Sequence, residues 1–199
     1  MFDVTKKFTI NIPTGDETKT CRLRFPTDAE WIERSRSLQT IRRSVGRGKA
    51  VMEIPNSDAV DARLFAKIRV DDNGVEFDEA EAAYAVRLLD SLTVTEAEMV
   101  PEGFRVVLTA YGMEMVHVLG RPMQRDILEY SRNVVKVVDA RRQQEIKISL
   151  VPARELYDKL CKSTEGYQPG MEIPIVHKDA VISEINALLG EGDITMDPE

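Results

Sequence analysis

FPTDAEWIERSRSLQTIRRSVGRGKA, Phe25 to Ala50, contains a helix start, an apolar stripe, a basic face and a stop. Thr27 is suited to the N-cap and Glu30 follows three residues later, which makes a capping box. Asp28 and Glu30 place negative charge where the helix dipole favours it. Trp31, Leu38, Ile41 and Val45 recur at helical spacing on one side, and Gly46 with Gly48 supplies a flexible exit. The pattern predicts one basic amphipathic helix over residues 27–49, about five turns at roughly 3.6 residues per turn, with Trp31 anchored in the core.

Arg34 and Arg42 fall at the borders of this stripe and Arg36 and Arg43 lie opposite it, so the helix is basic nearly all round towards Arg47. Clustered arginines with a glycine-bearing tail suit phosphate contacts, and nucleic acid is one reading of the segment. The other is that long arginine stems cover apolar surface and meet acidic groups. Residues 1–50 hold eleven basic and six acidic residues, a surplus of +5; the whole chain carries −7, which leaves −12 on the remainder. Such an asymmetry suits binding between unlike partners or head-to-tail self-association, because opposite patches steer encounter and set orientation. It is equally compatible with two solvated faces.

Upstream, Phe8, Ile10 and Ile12 alternate with polar residues, as do Cys21, Leu23 and Phe25. With Thr14-Gly15-Asp16-Glu17 between them, the two runs read as a hairpin with one wet, basic face. Downstream, Val51 to Ile54 is strand-like, and Val60, Leu64 and Ile68 lie four apart on a helix. Asp71-Asp72-Asn73-Gly74 is a turn rather than a calcium loop, since Arg69 stands five residues before the glycine. Asp78 caps a helix whose buried side is marked by Tyr84, Leu88 and Leu92. Thr93–Val100, Phe104–Tyr111 and Met113–Leu119 form an antiparallel meander, with Met99, Met113 and Met115 as core fillers and His117 pointing inward. Pro122 opens a further helix with Met123, Ile127 and Tyr130 on one side.

Val134–Val138 is rich in β-branched residues and is expected to pair with Glu145–Val151. Val151-Pro152 then starts a helix with Leu156, Leu160 and Cys161 inward. Met171–Val176 reads as an edge strand, and Asp179–Leu189 as a helix with Val181, Ile182, Ile185, Leu188 and Leu189 inward. Glu191–Glu199 is an acidic tail expected to be mobile. These elements describe an α+β fold, a single domain over 1–190 with antiparallel sheet elements and several packed amphipathic helices.

With 199 residues, 43% of them hydrophobic, the chain can bury a substantial core. No apolar run approaches the roughly 20 residues of a membrane span, and the N-terminus lacks a signal-peptide apolar region, so a cytoplasmic setting is expected. Cys21 and Cys161 have no metal-ligand spacing and fit small buried hydrophobes in a reducing compartment. Two histidines, His117 and His177, have no helical partner spacing, and neither a phosphate loop nor a Gly-x-Ser-x-Gly elbow occurs. No catalytic residue, cofactor or metal ligand is therefore assigned.

Phe25-Pro26-Thr27-Asp28-Ala29-Glu30-Trp31-Ile32-Glu33-Arg34 with Gly46-Arg47-Gly48, and the later Ile173-Pro174-Ile175-Val176-His177-Lys178, resemble small proteins from tail-morphogenesis regions of bacteriophages and prophages, tail assembly chaperones among them. The resemblance covers roughly the first quarter and last eighth of the chain. It implies a non-enzymatic assembly or virion protein whose partners are phage tail proteins or other copies of itself, in the host cytoplasm or the virion. The expected contact surface is Arg36, Arg42, Arg43 and Arg47; the alternative is a nucleic-acid-binding accessory protein using the basic helix 27–49.

Overall fold

The structure is a computed structural model that describes residues 1–15, 17–38, 42–46, 49–53, 57–71, 74–139 and 144–190. In chain order its elements begin with β1 (Lys7–Thr14), β2 (Glu17–Arg24), α1 (Asp28–Leu38), β3 (Arg42–Gly46), β4 (Lys49–Glu53), α2 (Ser57–Ile68) and α3 (Glu79–Leu89). There follow β5 (Thr93–Val100), β6 (Gly103–Ala110), β7 (Met113–Gly120), α4 (Gln124–Asn133), β8 (Val135–Asp139) and β9 (Gln144–Ile148). The last are α5 (Leu150–Leu160), β10 (Cys161–Glu165) and α6 (Ile175–Gly190). The fold is α+β, with every strand pairing antiparallel. It gathers into two compact units: the first comprises Asp3–Ser91 with Val134–Ile148, the second Met1–Phe2, Leu92–Asn133 and the chain from Ser149 onward.

In the first unit, the β1–β2 hairpin sets Phe8 opposite Leu23 and Ile10 opposite Cys21, so the alternation read from the sequence lies in register. Ile12, Cys21 and Leu23 are buried. The capping box of α1 is formed: Glu30 N–H donates to Thr27 Oγ1 (3.3 Å) and Thr27 N–H to Glu30 Oε2 (2.9 Å). Trp31 and Leu38 are enclosed as the stripe requires.

The helix, however, stops at Leu38, and the expected continuation to Lys49 is replaced by the β3–β4 hairpin, in which Gly46 pairs with Lys49. The segment read as a helix exit therefore lies between two strands, and its residues 47 and 48 lie outside the described residues. The expected turn at Asp71–Gly74 includes residues 72–73, which lie outside the described residues, as does the acidic tail 191–199.

Val60, Leu64 and Ile68 of α2 are buried as expected. On α3, where Asp78 and Glu81 close a second capping box, the buried side is Ala82, Ala83, Ala85, Val86 and Leu89. Tyr84, expected inside, is 39% exposed. Small residues let helices approach closely, and a reading weighted towards large side chains picks the wrong face. Leu38, Val60 and Ile148 form a buried cluster, which ties the end of β9 to α1 and α2.

In the second unit the strand order is β10-β7-β6-β5. Between β6 and β7, Tyr111 (φ 55°) and Gly112 (φ 71°) both occupy the left-handed region, the conformation of a tight two-residue hairpin turn. Tyr111 stacks on Phe2 with centroids 5.7 Å apart. Met115 is buried as expected, but Met99 is 66% exposed because β5 is an edge strand. Met123, expected on the inward side of α4, is 59% exposed.

Cys161 ends α5 and begins β10, rather than lying within a helix, and its strand pairs with β7. The stretch expected as an edge strand, Met171–Val176, instead leads into α6. The carbonyl of Pro174 accepts from His177 and Lys178 N–H, so the proline opens the helix and the apolar Ile175 and Val176 form its buried first turn. Val181, Ile182 and Ile185 face inward, while Leu189 is 39% exposed.

Candidate functional site

Of the four arginines expected to form a contact surface, the three described ones fall on different elements. Arg36 is an exposed residue in the last turn of α1, and Arg42 and Arg43 belong to β3, where they pair in register with Glu53 and Met52. Arg47 lies outside the described residues. Arg36 is presented by a helix end and Arg42 and Arg43 by a strand, not by the basic helix that the spacing suggested.

Other basic groups of the same unit are held internally. Arg24 grips Glu30 with two bonds of 2.7 and 2.6 Å, and this guanidinium holds the Glu30 carboxyl down at about 2. Lys19 binds Glu81 (2.7 Å), Lys67 binds Glu33 (2.7 Å), Arg69 binds Asp71 (3.0 Å) and Arg87 binds Asp58 (2.7 Å). Arg34, placed by the sequence at the stripe border, is drawn inward: its Nε donates to the buried Asp61 (2.6 Å) and its Nη1 to Asp90 (2.9 Å), and its guanidinium lies 5.3 Å from the centre of the Trp31 ring. By sequence, the first unit holds 19 basic and 18 acidic residues, a net +1, and the second 8 and 16, a net −8. The charge contrast expected between residues 1–50 and the rest thus resolves into a near-neutral unit and an acidic one.

Beside α1, a groove of about 340 Å³ runs along α2, lined by Glu33, Arg34, Ser37, Val60, Arg63 and Lys67 among others. Ligand pockets for small organic molecules are mostly apolar with few polar groups. This lining is dominated by charged side chains and suits contact with a polypeptide better than enclosure of such a molecule.

His117 and His177 are both fully buried in the second unit. His117 Nδ1 is 2.7 Å from Tyr157 Oη, and its Nε2 is 3.0 Å from Tyr167 Oη; the same Tyr167 hydroxyl lies 2.9 Å from His177 Nδ1. Cys161 Sγ donates to Tyr157 Oη at 3.5 Å, so one chain of hydrogen bonds joins β10, α5, β7 and α6. Burial pushes the histidines down, to about 4 for His117 and about 3 for His177, and pushes both tyrosines well above their ordinary range. Neutral, enclosed imidazoles held by tyrosines are core cross-links. The sequence indicated that His117 pointed inward, but not its tyrosine partners, because Tyr157 and Tyr167 are 40 and 50 residues away.

A surface that sequence reading missed lies on the other face of the same sheet. His117 and its helical partners mark the inner face. On the outer one, the register aligns Glu98, Arg105, Val118 and Ser163 in one row and Glu96, Val107, Val116 and Glu165 in the next, with Thr109 opposite Glu114 beside them. Arg105 reaches Glu96 at 2.7 Å and Glu98 at 3.7 Å, and the side chains of Glu96 and Glu98 are 63% and 58% exposed. The half-buried Val116 and Val118 and the buried Val107 are thereby flanked by four glutamates with Arg105, and Lys162 reaches the same face beside Gly120. The alternation of Glu96 and Glu98 was legible in the sequence, whereas Glu165 joins them only through the pairing of β10 with β7.

Among the described residues, no group of three or more His, Cys, Asp or Glu side chains is arranged to hold a metal ion, and no helix is long and apolar enough to cross a membrane. No family model, curated protein or solved structure matches this chain.

Proposed function

We propose that this chain is a non-enzymatic protein-binding component of phage or prophage tail assembly, acting in the host cytoplasm or in the virion. Its contact residues are Arg36, Arg42, Arg43 and Arg47, and they meet an acidic surface on a tail protein or on another copy of the chain. The observation that carries this reading is the distribution of basic groups in the first unit. Lys19, Arg24, Arg34, Lys67, Arg69 and Arg87 are engaged by carboxylates of that unit, and of the proposed contacts Arg36 stands in the last turn of α1 and Arg42 and Arg43 on β3. The burial of both histidines as neutral core groups supports a non-enzymatic role.

The test is co-purification with the proteins encoded by the neighbouring genes, comparing the parent with a variant in which the four arginines become glutamate. Retention of a tail protein by the parent and its loss from the variant are expected. Equal retention removes the arginines from the interface. Titration with duplex DNA separates the nucleic-acid reading: a phosphate-neutralising protein loses affinity steeply as salt rises, and an assembly protein shows no binding at physiological salt.

A further inference from the structure

Phe2 is fully buried, although Met1 beside it is 62% exposed and Thr5 and Lys6 are exposed as well. It fills a recess in the second unit. Its N–H donates to the Gly166 carbonyl (2.7 Å) and its own carbonyl accepts from Gln168 N–H (2.9 Å), which makes an isolated parallel bridge to Tyr167 just beyond β10. Its ring lies 4.8 Å from the ring of His177 at the start of α6, 5.7 Å from Tyr111 and 6.0 Å from Tyr167. The floor is close-packed, since a Cβ on Gly166 would stand 2.3 Å from the Glu114 carbonyl oxygen. Among the described residues, Tyr111 is the one non-glycine with positive φ (55°), in a turn position that asparagine or aspartate fills at lower cost. A backbone outlier of this kind points to a use for its side chain, and this ring stacks on Phe2.

Main-chain bonds to an extended residue, with a pocket for its side chain, are the contacts by which proteins take up peptides: the main chain supplies affinity and the pocket selectivity. We infer that the recess between the β6–β7 turn, the chain after β10 and the start of α6 is a binding site for an extended polypeptide segment carrying a phenylalanine side chain, and that residues 1–2 of the same chain fill it as a removable strap. The strap holds through one residue and an isolated bridge rather than a strand ladder, so it opens at lower cost than the sheet beneath it. A partner segment that presents phenylalanine between solvent-facing neighbours makes the same contacts. Phe2 competes with it at the high effective concentration of a linked ligand, so the site is self-inhibited. Opening also uncovers His177 and Tyr167, which are hydrogen-bonded to each other behind the Phe2 ring. The recess is built within the second unit and does not involve the arginine contact, so the two proposals fail independently.

Two NMR measurements on the full chain test this. In native-state hydrogen exchange of the parent, the amides of Phe2 and Gln168 are expected to exchange through local opening, roughly tenfold or more faster than the hydrogen-bonded amides of β6 and β7. If they exchange in step with those amides, the strap does not open and the inference is overturned. In the second measurement Phe2→Ala empties the recess, and the blocked peptide of residues 1–4 is titrated into it. Saturable shifts of the Tyr111 and His177 ring signals are expected, with weaker binding to the parent, whose own Phe2 competes, and no response to the same peptide carrying alanine in place of phenylalanine. A folded Phe2→Ala protein that ignores the peptide, or that answers both peptides equally, overturns the inference. If Phe2→Ala does not fold, Tyr111→Asn takes its place, because asparagine suits the turn while removing the ring that stacks on Phe2. Faster exchange at Phe2 and Gln168 with β6 and β7 unaltered supports the strap, and unchanged exchange at Phe2 and Gln168 overturns it.

Discussion

Trp31 is fully enclosed, and Arg34, one turn later, stacks over its ring while bridging Asp61 and Asp90. Trp31→Ala removes the largest buried side chain of the first unit and is expected to cost about 3–5 kcal/mol in urea unfolding. An unchanged unfolding midpoint together with lost partner binding would make Trp31 an interface residue. Arg34 is bound by a different constraint, since Asp61 is 1% exposed and its carboxylate is met by Arg34 at 2.6 Å, with Arg87 at 3.7 Å. Removing Arg34 leaves the buried Asp61 with only the longer Arg87 contact, so Arg34→Leu is expected to cost about 3–5 kcal/mol. The double variant Arg34→Leu with Asp61→Leu is expected to recover part of that loss, and strictly additive costs would show that the pair is not coupled. The sequence exposed Trp31 through its stripe, but Arg34 only as a border residue, because Asp61 and Asp90 are 27 and 56 residues away.

At the scale of elements, the capping box of α1, the Asp78 cap of α3 and the β1–β2 hairpin were legible because each is set by residues adjacent in sequence or by a period of two. The end of α1 was not, since helical spacing in Ile41 and Val45 competes with strand pairing that depends on residues beyond Gly48. Two glycines separate local strain from steric conflict. At Gly103 (φ 150°) an added Cβ would lie 1.9 Å from the Leu119 carbonyl oxygen, whereas at Gly15 (φ 59°) it would meet nothing within 4 Å. Gly15→Ala is expected to cost only the left-handed penalty of roughly 1–2 kcal/mol. Gly103→Ala must also displace the backbone where β6 meets β7, so a larger fall in melting temperature is expected. Equal falls for the two variants would show that the β6–β7 contact yields freely.

Across the whole molecule, acid acts through different groups in the two units. His117 is held neutral, with its value lowered from 6.5 to about 4, so the unfolded chain takes up protons that the fold refuses between those limits. Stability from this source is complete above about pH 6.5 and lost as pH falls towards 4. Glu30 is lowered from 4.5 to about 2, chiefly by Arg24, and its contribution is lost only as pH falls through that lower window. The sole tryptophan, Trp31, belongs to the first unit, so its emission is expected to change below pH 4.5, whereas the native His117 ring signals in NMR should lose intensity without shifting as pH falls from 6.5 towards 4. Simultaneous change in the upper window would mean that the histidines govern both units. The α+β class, the antiparallel meander and most helix positions were determined by the sequence alone, because period, capping and turn chemistry act over a few residues. Which basic groups are neutralised, which face of α3 is buried, and which glutamates share a surface were decided only by tertiary structure, because each depends on strands or helices far apart in the chain being brought within a few ångströms.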